Sequence, residues 1–257
     1  MNKILLSLVS AATLAALTAT AQAQVVTATP PAVKLGSGFD YSRGDYGFTA
    51  KTEVFSVPAN LSYEEDQWLF RVIVPYLTIK GPASVVAGGA AARPTSRSES
   101  GIGDTTLSAT YHARPDPGGL NVDVTGRVKL ATADDAKGLG TGQTDYYAQV
   151  DIYQAFTTFI PFANVGYRWL GRSTQYPLKN GLYASAGSSM RVSTTTIVGA
   201  SFDWRSSIIN GAKDATDVTI FVGANPDPRW TVTAYFLKGL NDASPDYGLG
   251  ALIAYKF

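Results

Sequence analysis

Hydrophobic and polar residues alternate with a period of two along many short stretches of this sequence. Residues 120–130 have apolar side chains at positions 120, 122, 124, 128 and 130, with polar residues or glycine between most of them. Residues 230–236 and 247–257 repeat the pattern. Because successive side chains of a β-strand point to opposite faces, each stretch is predicted to form a strand with one apolar face.

The pattern predicts about twelve strands, most of them close to the roughly 9–11 residues that a tilted strand needs to cross a membrane. They are residues 33–43, 52–63, 68–78, 105–114, 120–130, 145–156, 159–170, 182–192, 196–206, 216–224, 230–237 and 247–257. Short turns are predicted at 64–67, 115–119, 157–158, 193–195 and 225–228. They alternate with longer loops at 44–51, 79–104, 131–144, 171–181, 207–215 and 238–246. An even strand number places both chain ends beside the short turns, which face the periplasm in outer-membrane barrels.

Most charged residues in the predicted strands fall on the face opposite to the apolar one. In a transmembrane barrel the apolar face contacts lipid and the other face lines the lumen. The candidate lumen-lining residues are Lys34, Asp40, Glu64, Arg71, His112, Asp123, Arg127, Lys129, Asp151, Arg168, Arg191, Asp203, Arg205, Asp217 and Lys256. The predicted fold is therefore all-β, a transmembrane antiparallel up-and-down β-barrel with both termini periplasmic. The alternative is a soluble β-sandwich or lipocalin-like barrel, whose apolar face would point inward.

Aromatic residues cluster toward the two ends of the predicted strands. Those next to the long loops are Tyr167, Trp169, Trp204 and Tyr247. Those next to the short turns are Tyr63, Trp68, Tyr111, Trp230, Tyr255 and Phe257. Two such groups are typical of the aromatic girdles that mark the membrane interfaces of a barrel.

The start of the chain has the pattern of a secretory signal peptide. Met1-Asn2-Lys3 carries one positive charge, residues 4–17 are mainly apolar, and small residues lead to Ala23, where cleavage is predicted. Residues 24–257 show no linker and are predicted to form one barrel domain in the cell outer membrane. Cysteine is absent and 21 basic residues balance 20 acidic ones, so neither disulfides nor nucleic-acid binding is expected.

The end of the chain resembles the terminal strand of outer-membrane proteins, which alternates hydrophobic residues and closes on an aromatic one. Tyr255 and Phe257 are the residues of this assembly signal, which implies recognition by the outer-membrane assembly machinery. Proteins with this signal usually have glycine five residues before the last aromatic residue. Here Leu252 occupies that position, and Gly250 stands two residues earlier.

Two internal stretches resemble a family of outer-membrane transporters named for the MetA pathway of phenol degradation. They are residues 100–107, Ser-Gly-Ile-Gly-Asp-Thr-Thr-Leu, and residues 129–146, which begin Lys-Leu-Ala-Thr-Ala and include Gly-Leu-Gly-Thr-Gly-Gln-Thr-Asp-Tyr. Ala131 stands where the family usually has proline. The resemblance extends from about residue 30 to the C-terminus. It implies a barrel that passes small organic compounds and names no particular solute.

The glycines of the second stretch predict tight or left-handed turns where a strand meets a loop. Asp104 and Asp145 are predicted to cap these turns by accepting hydrogen bonds from backbone amides. Ligand binding is the alternative for these residues. A phosphate-binding loop is not expected, because no Lys-Ser/Thr pair and no helix follow the glycines.

An outer-membrane lipid hydrolase is the enzymatic alternative. Such an enzyme needs a histidine that takes the proton of a serine at the lipid face. The single histidine, His112, falls on the predicted lumen face instead. No histidine and carboxylate spacing predicts a metal site, and no cofactor is expected.

The sequence therefore predicts a channel or transporter for small organic solutes, hydrophobic or weakly anionic, rather than an enzyme. The expected partners are outer-membrane lipid, the assembly machinery and the solute. A structural or adhesive barrel that acts through its external loops remains the main alternative. Loop 80–104 could fold inward as a gate or stand outward as a binding surface. In a narrow lumen opposite charges are expected to pair, with Arg127 and Asp151, and Arg168 and Asp203, as candidate partners.

Overall fold

The computed structural model describes residues 31–86, 89–92, 97–113 and 119–257. The strands are β1 Ala32–Gly44, β2 Thr52–Glu65, β3 Trp68–Lys80, β4 Ala83–Val86, β5 Gly89–Ala92, β6 Glu99–Ile102, β7 Thr106–Ala113, β8 Asn121–Lys129, β9 Asp145–Tyr153, β10 Phe159–Trp169, β11 Gly181–Arg191, β12 Thr196–Arg205, β13 Ala215–Asp227, β14 Trp230–Gly239 and β15 Tyr247–Lys256. The described residues include no helix long and apolar enough to cross a membrane. The predicted signal peptide, residues 1–23, and most of the predicted turn 115–119 lie outside the described residues.

Twelve of these strands form a closed antiparallel barrel. Strands β7 to β15 pair in chain order, β15 pairs with β1, β1 with β2, β2 with β3, and β3 with β7. Closure between the first and last strands is in register, with Lys34 opposite Lys256 and Arg43 opposite Tyr247. The predicted all-β antiparallel barrel is thus confirmed: every strand edge in the ring is paired, which removes the exposed edges that an open sheet would leave.

The segment predicted as loop 79–104 contains more regular structure than its sequence indicates. Strands β4 and β5 form a small separate hairpin, with Val86 opposite Gly89. Strand β6 pairs with residues 76–79 of β3, and β7 pairs with residues 68–73 of the same strand. The register shifts by one residue between Ile102 and Thr106, so β6 and β7 form one long strand interrupted by a bulge. The prediction was wrong here because alanine, glycine and serine hide the two-residue alternation.

The barrel is apolar outside and polar inside. Leu35, Val165 and Ile220 point outward and are 52%, 53% and 55% exposed, whereas the inward Arg168 and Asp217 are 1% and 0% exposed. A soluble barrel would have the opposite arrangement, with aliphatic side chains filling its core. This distribution matches a wall whose outer face contacts lipid.

Aromatic residues lie at both ends of the outer wall, in the two groups that the sequence predicts. At the end with the short turns, Trp230 packs edge-to-face on Tyr255 at 4.9 Å between ring centroids. Tyr255 in turn contacts Phe257 at 5.1 Å. At the opposite end, beside the long loops, the centroids of Tyr167 and Trp169 are 4.8 Å apart. The two groups lie on either side of the apolar band. The start of β1 and the end of β15 both lie at the end of the barrel with the short turns.

Candidate functional site

The candidate site is the interior of the barrel. The residues that the sequence predicted to line the lumen all occupy interior-facing positions of their strands or strand ends. They are Lys34, Asp40, Glu64, Arg71, His112, Asp123, Arg127, Lys129, Asp151, Arg168, Arg191, Asp203, Arg205, Asp217 and Lys256. Their common placement follows from the alternation of side chains along each strand.

Five of these residues, all basic, lie on one row of neighbouring interior positions, which we call the basic row. Strand register connects its members in the order Lys256, Lys34, Ser62, Arg71, Ser108, Arg127, Tyr147 and Arg168. The row crosses eight adjacent strands, from β15 through β1 to β10, and contains no acidic residue. It runs from the end of the barrel with the short turns, where Lys256 lies, to the end with the long loops (the loop end), where Arg168 lies.

The three arginines of the basic row have few partners. Arg127 lies over the ring of Tyr147, 5.1 Å from its centroid. Arg168 donates to the backbone carbonyl of Ser206, and two guanidinium nitrogens of Arg71, Nε and Nη2, are buried without an acceptor. Among the described residues, no carboxylate lies within 4.0 Å of any of these three arginines.

The pairs expected from the sequence, Arg127 with Asp151 and Arg168 with Asp203, do not form. Asp151 accepts two hydrogen bonds from the side-chain amide of Gln149 at 2.7 and 2.9 Å. Asp203 accepts from Ser201 at 2.9 Å and from Thr219 at 3.3 Å. The prediction failed because the acids are satisfied by nearby polar side chains on their own or adjacent strands.

Other interior charges are held in close pairs. Arg205 pairs with the fully buried Asp217, and Lys34 pairs with Glu64 at 3.1 Å. His112 Nδ1 lies 2.9 Å from a carboxylate oxygen of Asp123, on the interior face and away from lipid. The acids of the interior are therefore mostly engaged, while the arginines of the basic row contact no carboxylate among the described residues.

An apolar surface lines another part of the interior, on β9, β10 and β12–β15; on β9, β10 and β15 it lies at other positions than the basic row. Its buried side chains are Phe162, Ile197, Phe221, Tyr235 and Leu237, with Tyr153 and Leu252 packed against them. We call this set the apolar wall. The same alternation places these residues inward, but the predicted lumen residues were the charged ones alone, so the apolar wall was not among them.

Glycines allow the large interior side chains to lie flat along the wall. Phe162 covers Gly187, Tyr183 covers Gly166, Phe221 covers Gly199, and Tyr235 covers Gly250. A Cβ atom added at any of these glycines would come within 3.0 Å of the ring, closer than real Cβ atoms approach. The rings therefore occupy the space above glycine on a neighbouring strand instead of projecting toward the barrel axis.

An ion triad joins the strands at the loop end of the barrel. Lys129 Nζ lies 2.7 Å from Asp104 and 3.0 Å from Asp145. Asp104 also accepts from the backbone amides of Thr132 and Ala133 at 3.2 and 3.0 Å. Asp145 accepts from the amide of residue 171 at 2.9 Å. Asp104 therefore holds the start of loop 131–144, as predicted, whereas Asp145 holds loop 171–181 and not the glycine turns.

The loops at this end pack on one another. Leu139 of loop 131–144 packs with Leu77 and Ile79 of β3 and with Ala83 of β4. Ser84 Oγ donates to the carbonyl of residue 138 at 3.2 Å. Residues 138 and 142 are the predicted left-handed glycines, with φ of 68° and 65°. The first part of loop 80–104 is thus anchored to loop 131–144 at the barrel mouth.

Comparison with known proteins agrees with this architecture. The family model described as "Putative MetA-pathway of phenol degradation" matches residues 20–257. The crystal structure of an outer membrane channel from Pseudomonas putida F1 matches at a TM-score of 0.67 and 13% identity, over 88% of this chain and 95% of that one. A structure named KdgM porin matches at a TM-score of 0.51 and 6% identity, over 87% and 99% of the two chains. No curated protein sequence matches the chain.

Proposed function

The chain belongs to the MetA-pathway family of phenol degradation, and we propose that it is an outer-membrane channel for small organic anions. The observation that carries this proposal is the basic row, which crosses the interior from one end of the barrel to the other without an acidic member. A row that carries cations and no acid lowers the energy of an anion at points along its path. It raises the energy of a cation at the same points.

The apolar wall is the observation in favour of a solute that also has a hydrocarbon part. It faces the interior at positions that the basic row does not occupy. A solute with a carboxylate or sulfonate at one end of an apolar body can contact both surfaces at once. The flat aromatic rings keep bulk away from the axis, and a twelve-strand barrel is wider than the eight-strand barrels that side chains fill.

We also propose how the chain is processed and how the barrel is oriented in the membrane. Cleavage after Ala23 would leave residues 24–257 as one barrel domain, inserted by the assembly machinery through Tyr255 and Phe257. The short turns and both termini would face the periplasm, and the long loops would face outward. The basic row would line the conduction path.

Uptake by proteoliposomes tests the function. Benzenesulfonate and phenyltrimethylammonium have the same ring and permanent, opposite charges, so neither crosses lipid by losing its charge. We expect benzenesulfonate to enter vesicles that contain the protein severalfold faster than phenyltrimethylammonium, with protein-free vesicles as the control. Equal entry of both ions, or faster entry of the cation, would refute an anion path. Entry of neither would favour a structural or adhesive barrel that acts through its loops.

A further inference from the structure

We propose that Arg71 and Arg127 form a binding site for the carboxylate of a small organic acid within the barrel. The inference rests on the proposed function in one respect: the bound acid would be a solute on its way through the channel. It adds a defined position on the basic row where that solute binds.

Arg71 supplies the first observation. Its Nε and Nη2 atoms are both buried and have no acceptor among the described residues. Glu64 on the adjacent strand attracts Arg71 but is bound by Lys34 at 3.1 Å. Buried guanidinium donors without acceptors are costly, because they have given up water without a replacement. A fold that keeps such a group is explained when a ligand supplies the acceptor.

Arg127 supplies the second observation. It lies on the same register line as Arg71, with only Ser108 of β7 between them. Strands two apart are separated by about 10 Å, which two arginine side chains can span toward each other. The positive charge of Arg127 repels that of Arg71, and a shared anion would convert this repulsion into attraction.

The chemistry of the pair favours a carboxylate. The planar guanidinium presents parallel N–H donors that match the two oxygens of a carboxylate. Arg127 is positioned by the ring of Tyr147 beneath it, and Ser108 offers a hydroxyl between the two arginines. The site therefore has fixed donors on two sides and a small polar group at its centre.

Several other interior cations already have partners. Lys129 contacts two carboxylates, Arg205 pairs with Asp217, and Arg168 donates to the carbonyl of Ser206. Among the described residues, Arg71 is the interior arginine with two buried donors left over. Its neighbours along the row are Lys34, which Glu64 holds, and Arg127, which contacts no described carboxylate. This contrast selects the pair from the rest of the lumen.

Calorimetric titration of the purified full-length protein in detergent with benzoate tests the site. We expect saturable binding that weakens by about tenfold or more in Arg71→Met and in Arg127→Met, as the loss of a charged hydrogen-bond donor implies. The matched control is Arg191→Met, which removes the same charge from the interior face of β11 and should change affinity less than about twofold. The double variant should bind no more weakly than the weaker single one.

Folding is monitored in the same preparations by the temperature at which the SDS-resistant form is lost. Arg71→Met should melt no lower than the wild type, because it removes an unsatisfied buried charge while keeping the bulk of the side chain. Arg71→Lys should fold and bind with intermediate affinity, since lysine keeps the charge but loses the planar fork. Wild-type affinity in either Arg71 variant, or equal weakening in Arg191→Met, would overturn the site.

The proposed binding site and the proposed channel function can be refuted separately. Benzoate binding is measured without transport, and benzenesulfonate uptake is measured without the need for a resting position. Binding without uptake would retain the site and refute the channel. Uptake without any benzoate binding by the wild type would retain the channel and overturn the site.

Discussion

Interior glycines determine how much of the barrel is filled by aromatic rings. At Gly166 on β10, the ring of Tyr183 from β11 lies directly over the glycine, and its hydroxyl donates to Gln149 Oε1 at 2.9 Å. A side chain at this position would occupy the space that the ring now fills. The glycine therefore fixes where Tyr183 lies and, through it, part of the interior shape.

We predict that Gly166→Val displaces Tyr183 from the wall toward the barrel axis. The variant should lose about 1–3 kcal/mol of stability from overpacking, and its single-channel conductance should fall because the ring narrows the lumen. Gly126→Val is the matched control, since an added Cβ there meets nothing within 4 Å. Conductance that is unchanged in Gly166→Val would contradict the placement of Tyr183.

Residue-level prediction from the sequence succeeded for the direction of side chains and failed for their partners. Alternation alone turns Arg127 and Arg168 inward, because direction depends only on position along one strand. Partners depend on the register between strands and on loop residues. The acceptor of Arg168, the carbonyl of Ser206, lies just after β12 and cannot be read from a pattern along β10.

At the scale of elements, the ion triad links β7, β8 and β9 to the loops above them. The side chains of Lys129, Asp104 and Asp145 are 12%, 8% and 1% exposed. Lys129 is the cation between the two carboxylates, while the carboxylates also hold backbone amides of loops 131–144 and 171–180. The triad therefore ties the loop conformation to the strand ends.

We predict that Lys129→Met lowers the stability of the barrel by about 3–5 kcal/mol, because it leaves two buried carboxylates without their cation. The measurement is the temperature at which the SDS-resistant form unfolds. Lys137→Met is the control: it removes a pair with Asp134 whose side chains are 50% and 45% exposed, worth about 0–1 kcal/mol. Equal melting of the two variants would count against a structural role for the triad.

The terminal strand β15 closes the ring. It pairs with β1 along ten positions, from Lys34 opposite Lys256 to Arg43 opposite Tyr247. The amide of Phe257 donates to the carbonyl of Val33 at 3.0 Å, and its side chain is 72% exposed on the outer surface. The last residue thus combines a closing hydrogen bond with an exposed interfacial ring.

We predict that Phe257→Asp reduces the amount of folded protein in the outer membrane, because it removes the terminal aromatic residue at the membrane interface. Phe156→Asp is the matched control. It makes the same change on an exposed aromatic residue, 46% accessible, at the same end of the barrel but away from the terminal strand. Normal membrane levels of Phe257→Asp would refute the proposed assembly signal.

Element-level prediction from the sequence was accurate where alternation is strong. Strands β8, β10 and β15 begin and end within about two residues of their predicted bounds. Strand β6 was missed because Glu-Ser-Gly-Ile offers a single large apolar residue and a bulge follows it. A bulge inserts one extra residue, so the alternation of apolar and polar residues shifts by one position there and no longer reads as a single strand.

At the scale of the whole molecule, the barrel has two interior surfaces of different chemistry. The basic row and the apolar wall occupy different parts of the interior and share only β9, β10 and β15. The basic row crosses from β15 to β1 and therefore exists only because the ring is closed. The sequence predicted charge inside and apolar residues outside. It did not predict the segregation of the interior, which depends on the register across all twelve strands.

The reversal potential in a planar bilayer across a KCl gradient tests the central claim most directly. The wild type should be anion-selective, and Arg127→Glu with Arg168→Glu should shift the potential toward that of potassium. The shift should be largest in dilute salt, where the Debye length reaches about 10 Å at 0.1 M and grows below it. Lys213→Glu, on an exposed loop, should change little. A cation-selective wild type, or a conducting double variant with unchanged selectivity, would contradict a conduction path along the basic row.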